Sequence, residues 1–208
     1  MRVFIVPHSH WDREWYLTFQ QFRFKLVKLV DQVLEILERD PDFKYFTLDG
    51  QAIVLEDYLE IKPEARPRIE KLVREGRLLI GPWYILPDEF LVSGESLLRN
   101  LKKGMELCAS FGKTMMVGYV PDQFGHIAQL PQIFQGCGLD TAVLWRGVGT
   151  QSRDAQFTWE APDGSSVLTI YLVDSYSNGA ALPTDAQALA EYIPELLERQ
   201  RPFLSAKA

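Results

Sequence analysis

Apolar residues recur every three or four positions between Gln20 and Arg39, and charged or polar residues fill the positions between them. The apolar set is Phe22, Leu26, Leu29, Val30, Val33, Leu34 and Leu37. This spacing places all of these side chains on one face of a helix. The segment is therefore predicted to be an amphipathic helix with a buried stripe.

Shorter apolar runs alternate with further segments of helical period up to Trp145. Strands are predicted at Val3–Val6, Lys44–Leu48, Leu78–Ile80, Met115–Val120 and Thr141–Trp145. Further helices are predicted at Ala52–Ile61, Glu64–Glu75, Glu95–Phe111 and Ala128–Cys137. Strands that alternate with helices need crossover connections, so we expect an α/β fold with a mostly parallel, barrel-like sheet and flanking helices.

The pattern changes after Gly149, where two strand-like runs, Phe157–Ala161 and Val167–Val173, flank the turn sequence Pro162-Asp163-Gly164-Ser165. This arrangement predicts a late β-hairpin. A last helix is predicted to begin at Thr184, to be stabilised by a capping box with Gln187, and to reach about Gln200.

Composition and charge exclude several classes of protein. The 208 residues, 47% of them hydrophobic, can bury a core without disulfides, so one α/β domain spanning residues 1–208 is expected. The net charge is −6 and the basic residues are scattered among acids, so no nucleic-acid partner is expected. The apolar runs are too short for a signal peptide or a membrane span, which predicts no membrane partner and a cytoplasmic location. Cys108 and Cys137 lack metal-ligand spacing and are expected to be buried free thiols.

Three segments share one layout, in which a proline separates a short apolar run from polar or acidic residues. They are Phe4–Asp12, Tyr84–Glu89 and Gly118–His126. Proline cannot donate a hydrogen bond within a central strand, so it is expected to end each strand and to leave the acids at the C-terminal edge of the sheet. Parallel α/β sheets build their sites at that edge. We therefore expect His10, Asp12, Asp88 and Asp122 to converge on one pocket.

The first of these segments combines a potential metal site with aromatic side chains. In extended backbone, His10 and Asp12 are two positions apart and point to the same side, so they can share a metal ion. Trp15 supplies a flat apolar face close to them, which suits a sugar ring.

Four motifs resemble those of the N-terminal catalytic domain of glycoside hydrolase family 38, the retaining zinc-dependent α-mannosidases. They are His8-Ser9-His10-Trp11-Asp12-Arg13-Glu14-Trp15-Tyr16, Leu48-Asp49-Gly50-Gln51, Gly81-Pro82-Trp83-Tyr84 and Gly118-Tyr119-Val120-Pro121-Asp122-Gln123-Phe124-Gly125-His126. The resemblance runs from Val3 to about Leu172. The His-Trp-Asp-Arg-Glu-Trp variant is similar to the bacterial branch, which includes hydrolases of mannosylglycerate and of short α-mannosides.

The resemblance implies an α-mannoside substrate and roles for three residues. His10 and Asp12 match the first two zinc ligands, and Asp122 matches the aspartate that is both a zinc ligand and the catalytic nucleophile. In the family, the zinc ion holds the hydroxyls at carbons two and three of mannose. The nucleophile forms a covalent mannosyl-enzyme that water hydrolyses with retention.

Five further residues are interpreted as parts of the site, some of them with an ordinary structural alternative. Trp15 is interpreted as an aromatic floor for the sugar, and Asp88 as a substrate contact. Arg146 either holds a carboxylate or a sugar hydroxyl or is a surface arginine. His8 either orients a metal ligand by a hydrogen bond or is a loop residue. His126 is interpreted as a structural or orienting residue rather than a ligand.

Two other acids have simpler interpretations still. Asp49 precedes a glycine and is interpreted as a turn residue at the end of a strand that borders the pocket. Glu89, like Asp88, can be an ordinary loop acid.

The family's fourth zinc ligand, a histidine, and its acid/base carboxylate lie on later segments, and nothing after Asp163 resembles them. We therefore expect an N-terminal fragment of a longer multidomain enzyme. Such a fragment should bind zinc weakly and hydrolyse nothing measurable alone. Apolar surface exposed by truncation would favour a homo-oligomer.

Two alternative functions remain open from the sequence. A metal-dependent carbohydrate deacetylase also uses aspartate and histidine beside a zinc ion, but its aspartate acts as a base rather than a nucleophile. A noncatalytic sugar-binding module would bind mannose without needing Asp122.

Overall fold

The computed structural model describes residues 3–149 and 154–204, which form two compact units. Unit 1 contains residues 3–86 and 94–116, and unit 2 contains residues 87–93, 117–149 and 154–204. Each unit has its own sheet. The predicted fold class is confirmed: the fold is α/β, with mostly parallel strands, flanking helices and a late hairpin. The single domain over residues 1–208 stays a prediction.

Unit 1 is built on a parallel sheet with the strand order β1-β2-β3. Its elements are β1 (His8–Ser9), α1 (Phe19–Arg39), β2 (Phe46–Leu48), α2 (Ile53–Leu59), a short 3-10 helix (Pro63–Ala65), α3 (Arg66–Glu75), β3 (Leu78–Leu79) and α4 (Gly94–Phe111). Because the strands are parallel, the loops that follow β1 and β2 leave from the same edge of the sheet.

The stripe predicted in α1 is buried and contributes much of the core of unit 1. Six of its seven side chains are buried, and Leu29 is half-buried against the same core. Thr18 and Gln21 close the start of the helix with a capping box, in which the Thr18 amide donates to Oε1 of Gln21 at 3.1 Å. The stripe packs with buried residues of α2 and α3, including Leu55 and Ile69.

Unit 2 is built on a four-stranded sheet with the order β4-β5-β7-β6. Its elements are a short 3-10 helix (Glu89–Leu91), β4 (Gly118–Val120), α5 (Leu130–Gly136), β5 (Thr141–Leu144), β6 (Gln156–Glu160), β7 (Ser166–Tyr171), α6 (Ala186–Gln200) and a final 3-10 helix (Arg201–Phe203). The first three strands in this order are parallel, and β6 is antiparallel to β7. The predicted turn joins β6 to β7, with Gly164 at φ +87°.

The strand predicted at Val3–Val6 is wrong, because the first strand is β1. His8 pairs with Thr47, which places Pro7 opposite Phe46, the first residue of β2. Pro7 has no amide hydrogen to donate, so the ladder begins after it. The proline therefore precedes the strand instead of ending it, and residues 3–6 are exposed.

The second proline-bounded segment is also not a strand. The amides of Tyr84 and Ile85 donate to Oδ1 of Asn100 at 3.1 and 3.0 Å, and Nδ2 of Asn100 donates to the Ile85 carbonyl at 2.7 Å. A side-chain amide from α4 thus satisfies backbone groups that a neighbouring strand would otherwise pair. The third segment is as predicted, because β4 ends at Val120, directly before Pro121.

The last helix begins later than predicted, at Ala186, and its cap is Asp185. Oδ1 of Asp185 accepts the Ala188 amide at 2.9 Å. The predicted capping box of Thr184 and Gln187 is wrong, because the extended residue next to the helix is the aspartate.

Both cysteines are free thiols within the part of the chain that the structure describes. Cys108 is buried as predicted, and burial raises its pKa to about 12. Cys137 is only half-buried, and burial raises its pKa as well. Among the described residues, no helix combines the length and apolarity that crossing a bilayer requires.

Candidate active site

His10 and Asp12 follow β1 directly, at the C-terminal edge of the sheet of unit 1. Nε2 of His10 lies 3.8 Å from Oδ1 of Asp12, which is too far for a hydrogen bond. Two atoms that share a tetrahedral zinc ion at about 2.1 Å each are separated by roughly 3.4 Å. The pair therefore lies on one side of the chain, as predicted, at a separation close to that of two ligands on one ion.

A buried carboxylate, Asp49, holds the segment that carries these two residues. Nδ1 of His10 donates to Oδ1 of Asp49 at 3.1 Å, and the Trp11 amide donates to Oδ2 at 2.6 Å. Nε2 of Gln51 also donates to Oδ2 at 2.8 Å and to the Trp11 carbonyl at 2.7 Å. Asp49 is 0% exposed, so its carboxylate is shielded from water.

The structure gives Asp49 a role that sequence reasoning missed. Asp49 does lie in a turn after β2, as predicted, and its φ of +36° is in the left-handed region that aspartate tolerates better than most residues. Its carboxylate, however, serves the neighbouring loop rather than the turn. The motif Leu48-Asp49-Gly50-Gln51 could have indicated this role, since it places an acid and an amide at the end of a buried strand.

Asp122 and Arg146 form an ion pair at the corresponding edge of the sheet in unit 2. Nε of Arg146 donates to Oδ1 of Asp122 at 2.5 Å. Val120 pairs with Leu144 in the parallel ladder between β4 and β5, so each member of the ion pair lies two residues beyond a paired position. The register of two short strands therefore brings the two side chains together.

Aromatic rings hold the guanidinium of Arg146 in place. Its Cζ lies 4.2 Å from the centroid of the Trp145 ring and 4.7 Å from that of Phe124. Cation–π contacts of this kind restrict the orientation of the guanidinium plane. Of the predicted interpretations of Arg146, contact with a carboxylate is the nearest to the structure, but the carboxylate belongs to Asp122 rather than to a substrate.

A second side-chain pair in unit 2 joins Glu89 to His126. Oε1 of Glu89 accepts from Nδ1 of His126 at 2.7 Å, and Oε2 accepts the Ile127 amide at 2.8 Å. Nε2 of His126 donates to the Arg146 carbonyl at 2.9 Å. The Glu89 side chain is 0% exposed, so the prediction of an ordinary loop acid is wrong. His126 thus contacts a carboxylate and a backbone carbonyl, and its structural or orienting role stays a prediction.

Asp88 lies in the wall of a shallow cleft of about 270 Å³ in unit 2. The other lining residues are Glu89, Phe90, Leu91, Phe124 and Gly125. Oδ1 of Asp88 accepts the Phe124 amide at 3.4 Å, which ties the 3-10 helix to the loop of Asp122. The rings of Phe90 and Phe124 are exposed, so the cleft offers aromatic faces and a carboxylate to a ligand.

The two remaining predicted residues lie in unit 1. Trp15 is 75% exposed, and its ring contacts Tyr16 edge to face at 5.1 Å between centroids. His8 lies in β1, so it is not a loop residue, and its Nδ1 is 2.9 Å from the Ser9 carbonyl oxygen.

Within residues 3–149 and 154–204, no group of three or more histidine, cysteine, aspartate and glutamate side chains has the arrangement of a metal site. A smaller set, the pair His10 and Asp12 in unit 1, remains as candidate metal ligands. The predicted three-residue set that adds Asp122 stays a prediction.

The family model for the N-terminal domain of glycosyl hydrolases family 38 matches residues 1–205. The chain therefore belongs to glycoside hydrolase family 38, and the resemblance seen in its motifs is confirmed. A provisionally named mannosylglycerate hydrolase of Halalkalibacterium halodurans is 44% identical over 211 residues, which cover 95% of this chain and 24% of that protein.

Solved structures agree with this family membership. The crystal structure of an alpha-mannosidase from Enterococcus faecalis V583 superposes with a TM-score of 0.90 at 39% identity, covering 95% of this chain and 23% of that one. The chain thus spans about a quarter of the length of both relatives. A provisionally named polysaccharide deacetylase from Mycobacterium smegmatis, with a TM-score of 0.57 at 15% identity, shares the fold alone.

Proposed function

We propose that this chain carries the catalytic nucleophile and the first metal ligands of a retaining, zinc-dependent α-mannosidase. Family membership supports glycoside hydrolysis, and the name of the Enterococcus faecalis relative supports an α-mannoside as substrate. The ion pair between Asp122 and Arg146 carries the assignment of the nucleophile. A nucleophilic carboxylate must be charged and fixed in one orientation, and a stacked guanidinium on one of its oxygens serves both needs.

The residues present in unit 1 fit a zinc ion. Because Nδ1 of His10 donates to Asp49, the neutral ring has its lone pair on Nε2, the nitrogen nearer to Asp12. One imidazole nitrogen and one carboxylate oxygen are ligands that zinc accepts. When bound, zinc would supply a positive charge that holds and polarises two sugar hydroxyls. The inclusion of Asp122 among the ligands rests on the motif resemblance.

In the proposed reaction, an oxygen of Asp122 attacks the anomeric carbon while the bond from that carbon to the leaving oxygen breaks. The leaving oxygen takes a proton from a general acid, which the family resemblance assigns to sequence outside these 208 residues. Water then attacks the anomeric carbon of the ester, its proton passes to the same acid/base residue, and Asp122 is released as a carboxylate. Two inversions at one carbon give net retention.

We assign substrate contacts to Trp15 and Asp88, and an aligning role to Arg146. The exposed indole of Trp15 can lie against the apolar face of a sugar ring. Asp88 offers carboxylate oxygen to hydroxyls in the cleft of unit 2. Arg146, as the partner of Asp122, would keep the nucleophile aligned while a substrate is bound.

Covalent labelling tests the nucleophile. A mannosyl fluoride with a second fluorine beside the anomeric carbon should transfer its sugar to Asp122, because the carbon–fluorine bond breaks without help from an acid and fluoride leaves. The zinc-loaded chain is incubated with this donor and digested, and the peptides are identified by mass spectrometry. The expected result is one modified peptide that contains Asp122.

Two variants serve as controls for the labelling. Asp122→Asn, which keeps the shape of the side chain, should abolish the modification. Asp163→Asn changes an exposed acid of the same unit that only closes the hairpin turn, and it should label like the original chain. Modification of a different residue, or acetate release from acetylated sugars without any adduct, would refute the proposal in favour of another reaction.

A further inference from the structure

The hydrogen bond between His10 and Asp49 determines which nitrogen of His10 can bind a metal. A neutral imidazole carries its hydrogen on one nitrogen and its lone pair on the other, and the hydrogen-bond partner decides between them. A carboxylate is an acceptor only, so Nδ1 of His10, 3.1 Å from Oδ1 of Asp49, must carry the hydrogen. The lone pair is then on Nε2.

Other contacts hold the carboxylate of Asp49 in its position beside His10. Its second oxygen, Oδ2, already accepts the Trp11 amide and Nε2 of Gln51, so the carboxylate cannot turn without breaking two further hydrogen bonds. The residue is fully buried, and its backbone has a φ of +36°, an uncommon conformation outside glycine. Burial of a carboxylate in a strained turn is unfavourable unless a specific arrangement compensates for it.

We infer that Asp49 is the positioning residue that selects the metal-binding tautomer of His10. The inference rests on the proposed function, because it gives His10 a zinc ion to bind. It goes beyond that function by adding a residue that acts through its hydrogen bond to His10. Carboxylates that hold the far nitrogen of a histidine ligand usually contribute 10- to 100-fold in metal affinity, in order-of-magnitude terms.

The substitution Asp49→Asn tests this inference, because it should reverse the tautomer of His10 while keeping the shape of the side chain at position 49. The asparagine oxygen is expected at the Oδ2 position, where two donors already converge. Its amide group would then face His10 and donate to Nδ1. The hydrogen of His10 would have to move to Nε2, which blocks the nitrogen that faces Asp12.

The tautomer is measured on the metal-free chain by long-range nitrogen–hydrogen NMR at mildly alkaline pH, where imidazole is neutral. The chain has three histidines, and the signals that disappear in His10→Gln are those of His10. We expect hydrogen on Nδ1 in the original chain and on Nε2 in Asp49→Asn. The same tautomer in both proteins, or hydrogen on Nε2 in the original chain, would overturn the inference.

Zinc affinity is measured in parallel by competition with a chromogenic chelator. Asp49→Asn should bind zinc roughly 10- to 100-fold more weakly than the original chain. The control is Ile69→Ala, which opens a cavity in the core of unit 1 and destabilises it without removing a hydrogen bond of His10. It should change the unfolding midpoint but neither the tautomer nor the zinc affinity.

The outcomes separate this inference from the proposed function. If the original chain and Asp49→Asn bind zinc equally, and His10→Ala binds it more weakly than both, the metal site stands and the role of Asp49 is refuted. If zinc binding is unaffected by His10→Ala, the metal part of the proposed function is wrong. The NMR result then decides alone whether Asp49 sets the tautomer.

Discussion

Arg146 and Asp122 are held together by the register of their strands, since each lies two residues beyond the paired positions Leu144 and Val120. In two adjacent parallel strands, residues at equal distances from a paired position lie side by side at the same edge of the sheet. The ion pair at 2.5 Å is therefore a direct product of the ladder between β4 and β5 rather than of a long or adaptable loop. Changes to Arg146 should act on the nucleophile without altering the sheet.

Replacement of Arg146 should slow the labelling of Asp122 by the fluorinated mannosyl donor. A hydrogen bond to a charged group contributes about 1.5–3 kcal/mol, so Arg146→Ala should reduce the rate by roughly 10- to 100-fold. Arg146→Lys should recover only part of this rate, because a lysine ammonium keeps the charge but cannot stack on Trp145 and Phe124 in the same plane. The rate is followed by intact-protein mass spectrometry.

An equally fast reaction of Arg146→Ala would show that the ion pair does not position the nucleophile. Arg99→Ala is a suitable control, because it removes an exposed arginine of α4 that pairs with Glu95 at 2.7 Å. Such an exposed pair contributes little to stability. This variant should label at the original rate.

The pair of Glu89 and His126 should stabilise unit 2. Both side chains are buried, and removal of one partner leaves polar atoms of the other without their hydrogen-bond partner. Glu89→Ala and His126→Ala should each reduce the free energy of unfolding by about 1–3 kcal/mol. The double variant should lose less than the sum of the two single losses, since neither member of the pair is then left buried without the other. Urea unfolding of all four proteins measures this coupling.

Additive losses in this cycle would mean that Glu89 and His126 act independently, contrary to the geometry. Exposed pairs offer the contrast. Lys102→Ala and Glu106→Ala, which separate a pair 3.9 Å apart on the surface of α4, should change the free energy of unfolding by less than about 1 kcal/mol.

Much of the fold could be predicted from the sequence because hydrophobic period is a strong local signal. The α1 stripe and the hairpin turn before β7 were both recognisable without any tertiary information. Strand ends were less predictable, because they depend on the partner strand. The start of β1 at His8 follows from where β2 begins and from the missing amide of Pro7, and neither effect is visible in the run Val3–Val6.

The candidate site was predictable in its reactive residues but not in the residues that hold them. His10 and Asp122 stand in motifs whose residue types already suggest metal and nucleophile chemistry. Asp49 and Glu89 look like ordinary turn and loop acids, and only tertiary contacts bring them to His10 and His126. The first hydrogen bond joins residues that are 39 positions apart in the sequence, and the second joins residues that are 37 positions apart. A single sequence contains no local pattern that indicates contacts over such separations.

The two thiols should differ in reactivity, because Cys108 is fully buried and Cys137 is only half-buried. A higher pKa lowers the fraction of reactive thiolate at a given pH, and a change from 9.0 to about 12 lowers it roughly 1,000-fold. Iodoacetamide near neutral pH should therefore modify the half-buried Cys137 first. Peptide mass spectrometry over time measures both rates. In urea the two rates should converge, and faster reaction of Cys108 in the folded chain would contradict its burial.

The isolated chain should transfer mannose from an activated donor to Asp122 yet show no measurable turnover of an aryl α-mannoside. Nothing after Asp163 resembles the acid/base segment of the family, and a positioned acid usually contributes about 100- to 10,000-fold to such a step. Fluoride leaves without a proton, whereas a phenol oxygen benefits from one. Phenol release from phenyl α-mannoside, measured with zinc present, should equal that of Asp122→Asn. Steady turnover well above the variant would show that these 208 residues already contain a functional acid.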